Sequence, residues 1–270
     1  MHAGTIRTRP RLIESRQNPR VKQLRAALAR TGRTPAGLIA VEGEHLVAEA
    51  IRSGLQLAAI FLRQGYDPGI DIPAAAESFE LPADVFASAV ATEQPQGIAA
   101  LLHPPVFSRD SILQAATPRL LVLAGLQDPG NVGTLLRSAE AFAATGVLLL
   151  PGTASPWNPK ALRASAGSAF RVPACALTEE EALALFARHG IAAIAAVPHG
   201  GQPIAHMARS GPVALLIGNE GAGLSPRLLA AATHRVTIPM PGAVESLNAA
   251  IAGSLLLYEW SRELPRKATP

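Results

Sequence analysis

From residue 119 onward, short apolar runs alternate with longer stretches whose apolar positions recur every three or four residues. Runs at 120–126, 147–150, 191–197, 213–217 and 236–238 predict buried strands, each bounded by Gly, Pro or polar clusters. Helices are predicted over 132–144, 160–170 and the stretch ending at His189, with 171–175 extended. Thr178-Glu-Glu-Glu181 is a capping box that starts the third of these helices. A last helix is predicted over 246–263, with Leu247, Ile251, Leu255 and Tyr258 at helical spacing. Near-continuous apolar strands alternating with amphipathic helices call for an α/β fold with a doubly wound, largely parallel sheet.

The first hundred residues carry a different, smaller pattern. Asn18-Pro19 opens a helix, because Asn caps well and Pro is tolerated at the first helical position. Val21, Leu24 and Leu28 then share one face, with Arg20, Lys22 and Arg25 elsewhere. Strands are predicted at 38–41, 58–62, 78–81 and 98–102, with a helix over 45–53. His103-Pro104-Pro105 breaks this pattern, and a polar, irregular stretch runs to Pro118. The expected organisation is a small α/β domain over 1–103, a linker over 104–118 and a larger domain over 119–270.

Charge changes the picture at one end. Residues 1–33 hold nine bases (Arg7, Arg9, Arg11, Arg16, Arg20, Lys22, Arg25, Arg30 and Arg33) and one acid, whereas the remainder carries 15 bases and 19 acids. A clustered basic segment is what a polyanion partner such as nucleic acid requires, although a solvated basic tail has the same composition. The single Cys175 excludes an intrachain disulfide and fits a reducing compartment. No apolar run reaches transmembrane length, and no apolar segment of a secretory leader stands at the N-terminus. The expected location is the cytoplasm, with a mitochondrial address the alternative for an Arg-rich start.

Three segments, each after a predicted strand, concentrate the chemistry at the carboxyl edge of the sheet, where such folds bind ligands. The first is Asn131-Val-Gly133-Thr-Leu-Leu-Arg137, after the turn signal Asp128-Pro129-Gly130. Helix capping is the plain alternative for Asn131, and an ion pair with Glu140 for Arg137. The second is Gly218-Asn219-Glu220-Gly221-Ala-Gly223-Leu224, whose glycines suit close approach of backbone to a ligand. Its spacing matches neither a dinucleotide fingerprint nor a Walker A loop. The third is Ile238-Pro239-Met240-Pro241-Gly242-Ala-Val-Glu245-Ser246-Leu247-Asn248, with Ser246 placed to cap the following helix. No metal-ligand spacing surrounds Cys175, and no metal is expected.

Together these segments resemble the three motifs of the SpoU-type RNA ribose methyltransferases, in order and spacing, over residues 120–262. Arg163-Ala-Ser-Ala-Gly167-Ser-Ala-Phe170 resembles that family's middle segment. Ser15-Arg-Gln-Asn18-Pro-Arg-Val-Lys22 and Glu42-Gly43-Glu44 are similar to the ribosomal-protein-like RNA-binding domain that precedes the catalytic domain in part of the family. Ala249-Ala250 departs from the Val-Ser pair usual after the third motif. The resemblance implies a SPOUT domain with a deep C-terminal trefoil knot, S-adenosylmethionine as cofactor, and a homodimer with its site at the subunit interface.

It also assigns roles. Asn131, Arg137, Glu220, Ser246 and Asn248 would form the catalytic set. Ala196, Gly218, Asn219, Gly223, Ile238, Met240 and Leu247 would line the cofactor site. Arg16, Arg20, Lys22, Arg25 and Arg163 would meet RNA. Family proposals make the arginine matching Arg137 the base. An arginine holds its proton to a pKa above ~12, so freeing it at neutral pH costs on the order of 7 kcal/mol. Binding the phosphate beside the target and stabilising the developing alkoxide suits Arg137 better. The expected activity is 2′-O-methylation of structured RNA, ribosomal RNA ahead of transfer RNA. The alternatives are a non-catalytic RNA-binding protein on the same fold, and a nucleotide-dependent oxidoreductase, against which the missing dinucleotide fingerprint argues.

Overall fold

The computed structural model describes residues 10–29, 32–90, 92, 94–204 and 211–262. Of the predicted basic cluster, Arg7, Arg9 and Arg30 lie outside the described residues, as does Glu263 at the end of the predicted last helix. The chain forms two compact units. One holds the described residues up to Val106 together with Ser155–Arg171; the other holds Phe107–Ala154 and the described residues from Val172 onward.

The first unit is built on β1 (Arg11–Leu12), α1 (Pro19–Leu28), β2 (Ile39–Glu42), α2 (Glu44–Arg52), β3 (Leu57–Arg63), β4 (Glu77–Leu81), α3 (Ala83–Ala89) and β5 (Ile98–Leu102). The sheet order is β1-β4-β3-β5-β2, with β4 parallel to β1 and β3, and β5 antiparallel to β3 and β2. Asn18 caps α1 as expected, its side chain accepting from the Arg20 N–H at 2.9 Å. Val21, Leu24 and Leu28 are all buried, which confirms the helical face. The rings of Phe61 and Phe79, register partners on β3 and β4, stack at 5.5 Å. Helix α3 was not foreseen: Pro82 stands just before it without a side-chain cap and Val85 and Phe86 bury its inner face, but seven residues are too few to show a period.

The second unit contains α4 (Arg109–Leu113), β6 (Arg119–Ala124), α5 (Pro129–Ala141) and β7 (Gly146–Leu149). After β7 the chain contributes α6 (Pro159–Ser165) and a 3-10 turn at Ser168–Phe170 to the first unit. It then returns with β8 (Ala174–Ala176), α7 (Glu179–His189), β9 (Ala192–Ala196), β10 (Gln202–Pro203), β11 (Val213–Gly218), α8 (Pro226–Ala231), β12 (His234–Thr237) and α9 (Ala249–Ser261). The seven strands run in the order β10-β12-β9-β11-β6-β7-β8 and every pairing is parallel, as the apolar runs predicted. The capping box at Thr178 and Glu181 is present. There the Thr178 backbone N–H, helped by Arg109, holds the Glu181 carboxyl below its usual range.

Four local readings are corrected. The stretch expected to be irregular contains α4, nucleated by the Ser108 cap and anchored by a fully buried Ile112. The helix expected over 160–170 is broken, because Ala166 and Gly167 adopt left-handed conformations at φ 47° and 91°. Helix α5 starts three residues earlier than the apolar spacing implied: Asp128 is its cap, accepting from the Gly130 N–H at 2.8 Å, and Pro129 is its first residue. Helix α9 is capped by Asn248 rather than Ser246, the Asn248 amide oxygen accepting from Ala250 and Ile251. No helix among the described residues is long and apolar enough to cross a membrane.

Candidate active site

Strands β12, β9, β11 and β6 are consecutive in the sheet, so their carboxyl ends share one edge. From β6 the chain winds outward through β7 and β8, then crosses to β9 and returns to insert β11 beside β6. The loops after β6 and β11 therefore leave in opposite senses, which opens a crevice between them. A cavity of about 190 Å³ lies at this edge. Its walls come from the ends of β9 (Ala196), β11 (Ile217, Gly218) and β12 (Thr237), from the glycine loop, and from Leu247 and the first turns of α9.

All seven expected cofactor residues, Ala196, Gly218, Asn219, Gly223, Ile238, Met240 and Leu247, line this cavity. Glu220 and Ser246 of the expected catalytic set line it as well. The glycine loop folds back on itself: Asn219 and Gly223 exchange backbone hydrogen bonds of 3.1 and 3.0 Å. This closeness is why position 218 is glycine. A Cβ there would lie 2.4 Å from the Gly223 carbonyl carbon, inside main chain that has nowhere to move. Gly253 plays a similar part on α9, where a Cβ would sit 2.5 Å from the Leu135 side chain. It lets α9 pack closely on α5, beside the Ser138–Ser254 hydroxyl contact of 2.7 Å.

Three distant segments meet through side chains. The buried Asn131 donates its Nδ2 to Glu220 Oε1 at 2.8 Å, and its Oδ1 accepts from Asn248 Nδ2 at 3.2 Å. With Asp128 capping α5, Asn131 is released from capping and points across the crevice. Asn248 does two jobs: its oxygen caps α9 while its nitrogen reaches Asn131. The network ties all three groups together, engaging Glu220 through Oε1, and Glu220 as a residue is exposed. Arg137 stands apart from it. It is exposed on α5, outside the cavity wall, and makes no ion pair among the described residues.

The basic residues of the first unit are less free than their sequence suggests. Arg16 pairs with Asp84 at 2.6 Å, Arg20 with Glu77, and Arg25 donates to the Ser88 carbonyl and hydroxyl. Lys22 and Arg163 are exposed. Cys175 packs as a small hydrophobe: its thiol donates to the Phe107 carbonyl, and burial pushes its pKa up. No cluster of His, Cys, Asp or Glu among the described residues could hold a metal ion. The Asp128 cap was legible by the rule that found Asn18-Pro19, since Asp-Pro is the same signal. Thr237 and Pro198, two cavity walls joined by a 2.8 Å hydrogen bond, carried no such signal.

The family model for the SpoU rRNA methylase family matches residues 118–258, and that for the MRM3-like substrate binding domain matches 18–100. The chain is 32% identical over 246 residues to the 23S rRNA (guanosine(2553)-2′-O)-methyltransferase RlmP of Bacillus subtilis (strain 168), covering 91% of this chain and 97% of that protein. The crystal structure of the SpoU methyltransferase AviRb from Streptomyces viridochromogenes, in complex with the cofactor AdoMet, superposes with a TM-score of 0.80 at 28% identity. That match covers 92% of this chain and 98% of the other. The AdoMet-bound rRNA methyltransferase from Sinorhizobium meliloti gives 0.81 at 28% identity, covering 95% and 99%. Shared over both its units with proteins of this kind, and matched through the motifs that build the cavity, the chain belongs to the SpoU rRNA methylase family.

Proposed function

We propose that the protein transfers a methyl group from S-adenosylmethionine to a ribose 2′-hydroxyl of ribosomal RNA. The observation that carries this reading is the meeting of Asn131, Glu220 and Asn248 at the rim of the cavity. The cavity suits the cofactor: the side of Gly223 is open, and apolar Ile217, Ile238, Leu247 and Leu256 offer walls for a nucleoside. S-adenosylmethionine, when bound, supplies a methyl group on a sulfonium cation that departs as a neutral thioether. The main chain of Gly218, Ile238 and Leu247 would hold it, with Ala196 and Met240 closing the sides.

The remaining work falls to the chain's own side chains. Asn131 holds Glu220 through Oε1, so its other carboxylate oxygen can meet the ribose without reorganising. Arg137 binds the phosphate beside the target and stabilises charge on the 2′-oxygen as its proton passes to solvent and the methyl group forms the new bond to that oxygen. Apolar walls exclude water and strengthen both effects. Arg137→Lys keeps the charge but loses the planar fork, and should lower kcat about tenfold or more, roughly 1.4 kcal/mol. Cofactor affinity should be unchanged, because Arg137 is outside the cavity wall. Near-normal methylation by this variant would exclude the bidentate role.

The direct test is transfer of labelled methyl from S-adenosylmethionine to ribosomal RNA of cells lacking the protein, with 2′-O-methyl mapping. Transfer to a single ribose is expected. Failure with ribosomal RNA but success with transfer RNA would move the substrate, and binding of NAD in place of S-adenosylmethionine would reject the reading.

The same reading makes the protein a cytoplasmic homodimer with the family's trefoil knot. Support for the dimer comes from α9, where Ile251, Leu255 and Tyr258 form an apolar stripe that is 45–53% exposed. The helical spacing had marked these residues as a face, but Ala249, Ala250, Gly253, Leu256, Leu257 and Trp260 make the buried one. Tyr258 meets Phe142 edge-on at 5.6 Å, widening the patch. Leu255→Asp should convert dimer to monomer in sedimentation experiments while leaving the melting temperature of the monomer within a few degrees. A wild-type monomer would remove the dimer from the reading.

A further inference from the structure

The turn after β6 is held in an unusual way. Both main-chain polar groups of Gly125 bond to side chains from other loops. The Gly125 N–H donates to Thr153 Oγ1 at 3.0 Å, and that hydroxyl in turn donates to the Leu123 carbonyl at 2.8 Å. The Gly125 carbonyl accepts from Asn219 Nδ2 at 2.8 Å. The Asn219 amide oxygen is itself occupied, accepting from the Gly221 and Ala222 N–H groups at 2.9 Å each. A main-chain bond of 2.7 Å from Ala154 to the Leu126 carbonyl reinforces the join. Three loops thus meet on one residue, which has φ 75° and is followed three positions on by the Asp128 cap of α5.

We propose that Thr153 and Asn219 are positioning residues that clamp Gly125 and thereby set the register of Asn131 against Glu220. Asn219 faces the cavity, but its side chain turns back into the protein, so it shapes the glycine loop rather than gripping a ligand. Thr153 is outside the cavity wall, and its hydroxyl bonds to Gly125 and Leu123. Its hydroxyl is the only side-chain group bonding the Gly125 N–H among the described residues. The turn it braces leads directly into the first turn of α5, which carries Asn131 as its third residue. A shift of about an ångström in that turn would stretch the 2.8 Å Asn131–Glu220 bond beyond hydrogen-bond range. Catalytic geometry is sensitive to displacements on this scale.

The inference rests on the methyl-transfer reading, and four variants of the full-length protein separate the two. Thr153→Val removes the hydroxyl with little change in shape, and Thr153→Ser retains it. Thr153→Val should lower kcat tenfold or more with the dissociation constant for S-adenosylmethionine within threefold of wild type, and Thr153→Ser should restore kcat. Added to Asn131→Ala, Thr153→Val should cost less than a further twofold, because both act through one contact. An unchanged kcat, or losses that multiply in the double variant, would overturn the proposal. Amide exchange at Gly125 is read independently of activity. It should quicken in Thr153→Val and recover in Thr153→Ser. Unchanged exchange in Thr153→Val overturns the clamp even if the enzyme is active, whereas quickened exchange in Thr153→Val alongside a wild-type chain that methylates no RNA upholds the clamp and rejects the methyl-transfer reading.

Discussion

Replacing Gly218 by alanine should destabilise the protein by about 1–3 kcal/mol and weaken S-adenosylmethionine binding more than tenfold. The added Cβ would lie 2.4 Å from the Gly223 carbonyl carbon, 2.6 Å from the Leu224 nitrogen and 2.7 Å from the Gly223 oxygen. All three are main-chain atoms, so no side-chain rotation relieves the contact. The loop has to open, which breaks the paired bonds between Asn219 and Gly223 and moves the cavity floor. Gly221→Ala is the internal comparison. Its Cβ would meet only Asn219 Oδ1 at 3.6 Å, an ordinary contact, and its stability should stay within about 0.5 kcal/mol of wild type. Urea denaturation with calorimetric titration of the cofactor reads both quantities. Equal behaviour of the two variants would mean that the loop is not fixed by the approach of its own backbone.

The seven-stranded sheet was legible because each of its central strands is buried on both faces and therefore reads as a continuous apolar run. The two-residue strands β1 and β10 are too short to write any pattern. Ends of helices were legible where a side chain declares the cap, as at Asn18 and Thr178, and were misplaced where two candidates compete. Ser246 and Asn248 are both good caps, and only the fold decides that Asn248 takes the role while also reaching Asn131. Periodicity named a face of α9 but not what covers it. Ala249, Ala250, Gly253, Leu256, Leu257 and Trp260 go inward, Gly253 admitting close approach to Leu135, while Ile251, Leu255 and Tyr258 are left outside. The cavity-lining residues were named through the resemblance of the three motifs to the family's, because a glycine-rich loop after a strand by itself reads equally as a tight turn. The pairing of basic residues at and before α1 was not legible: Asp84 and Glu77, distant in sequence, pair with Arg16 and Arg20. Thr153 was invisible, because a hydroxyl that bonds main chain leaves no trace in spacing.

Asn131→Asp should lower kcat about a hundredfold, roughly 2.7 kcal/mol, with cofactor affinity little changed. The substitution keeps the acceptor that Asn248 uses but turns the donor facing Glu220 into a second carboxylate oxygen. Two carboxylates at hydrogen-bond distance repel, and position 131 is buried, so water relieves the repulsion poorly. Glu220 is exposed and can swing away into solvent, which lowers the energetic cost but destroys the orientation the reaction needs. The sign of the pH dependence follows. A carboxyl forced against a like charge takes up a proton more readily than usual, and the protonated pair again has a donor between its oxygens. The defect should therefore be full at neutral pH and shrink as pH falls toward about 5, when measured relative to wild type at each pH. Asn131→Ala removes both links and should be more damaging at every pH, with no recovery in acid. A defect in the aspartate variant that does not change with pH would show that the Asn131–Glu220 bond is not what the reaction uses.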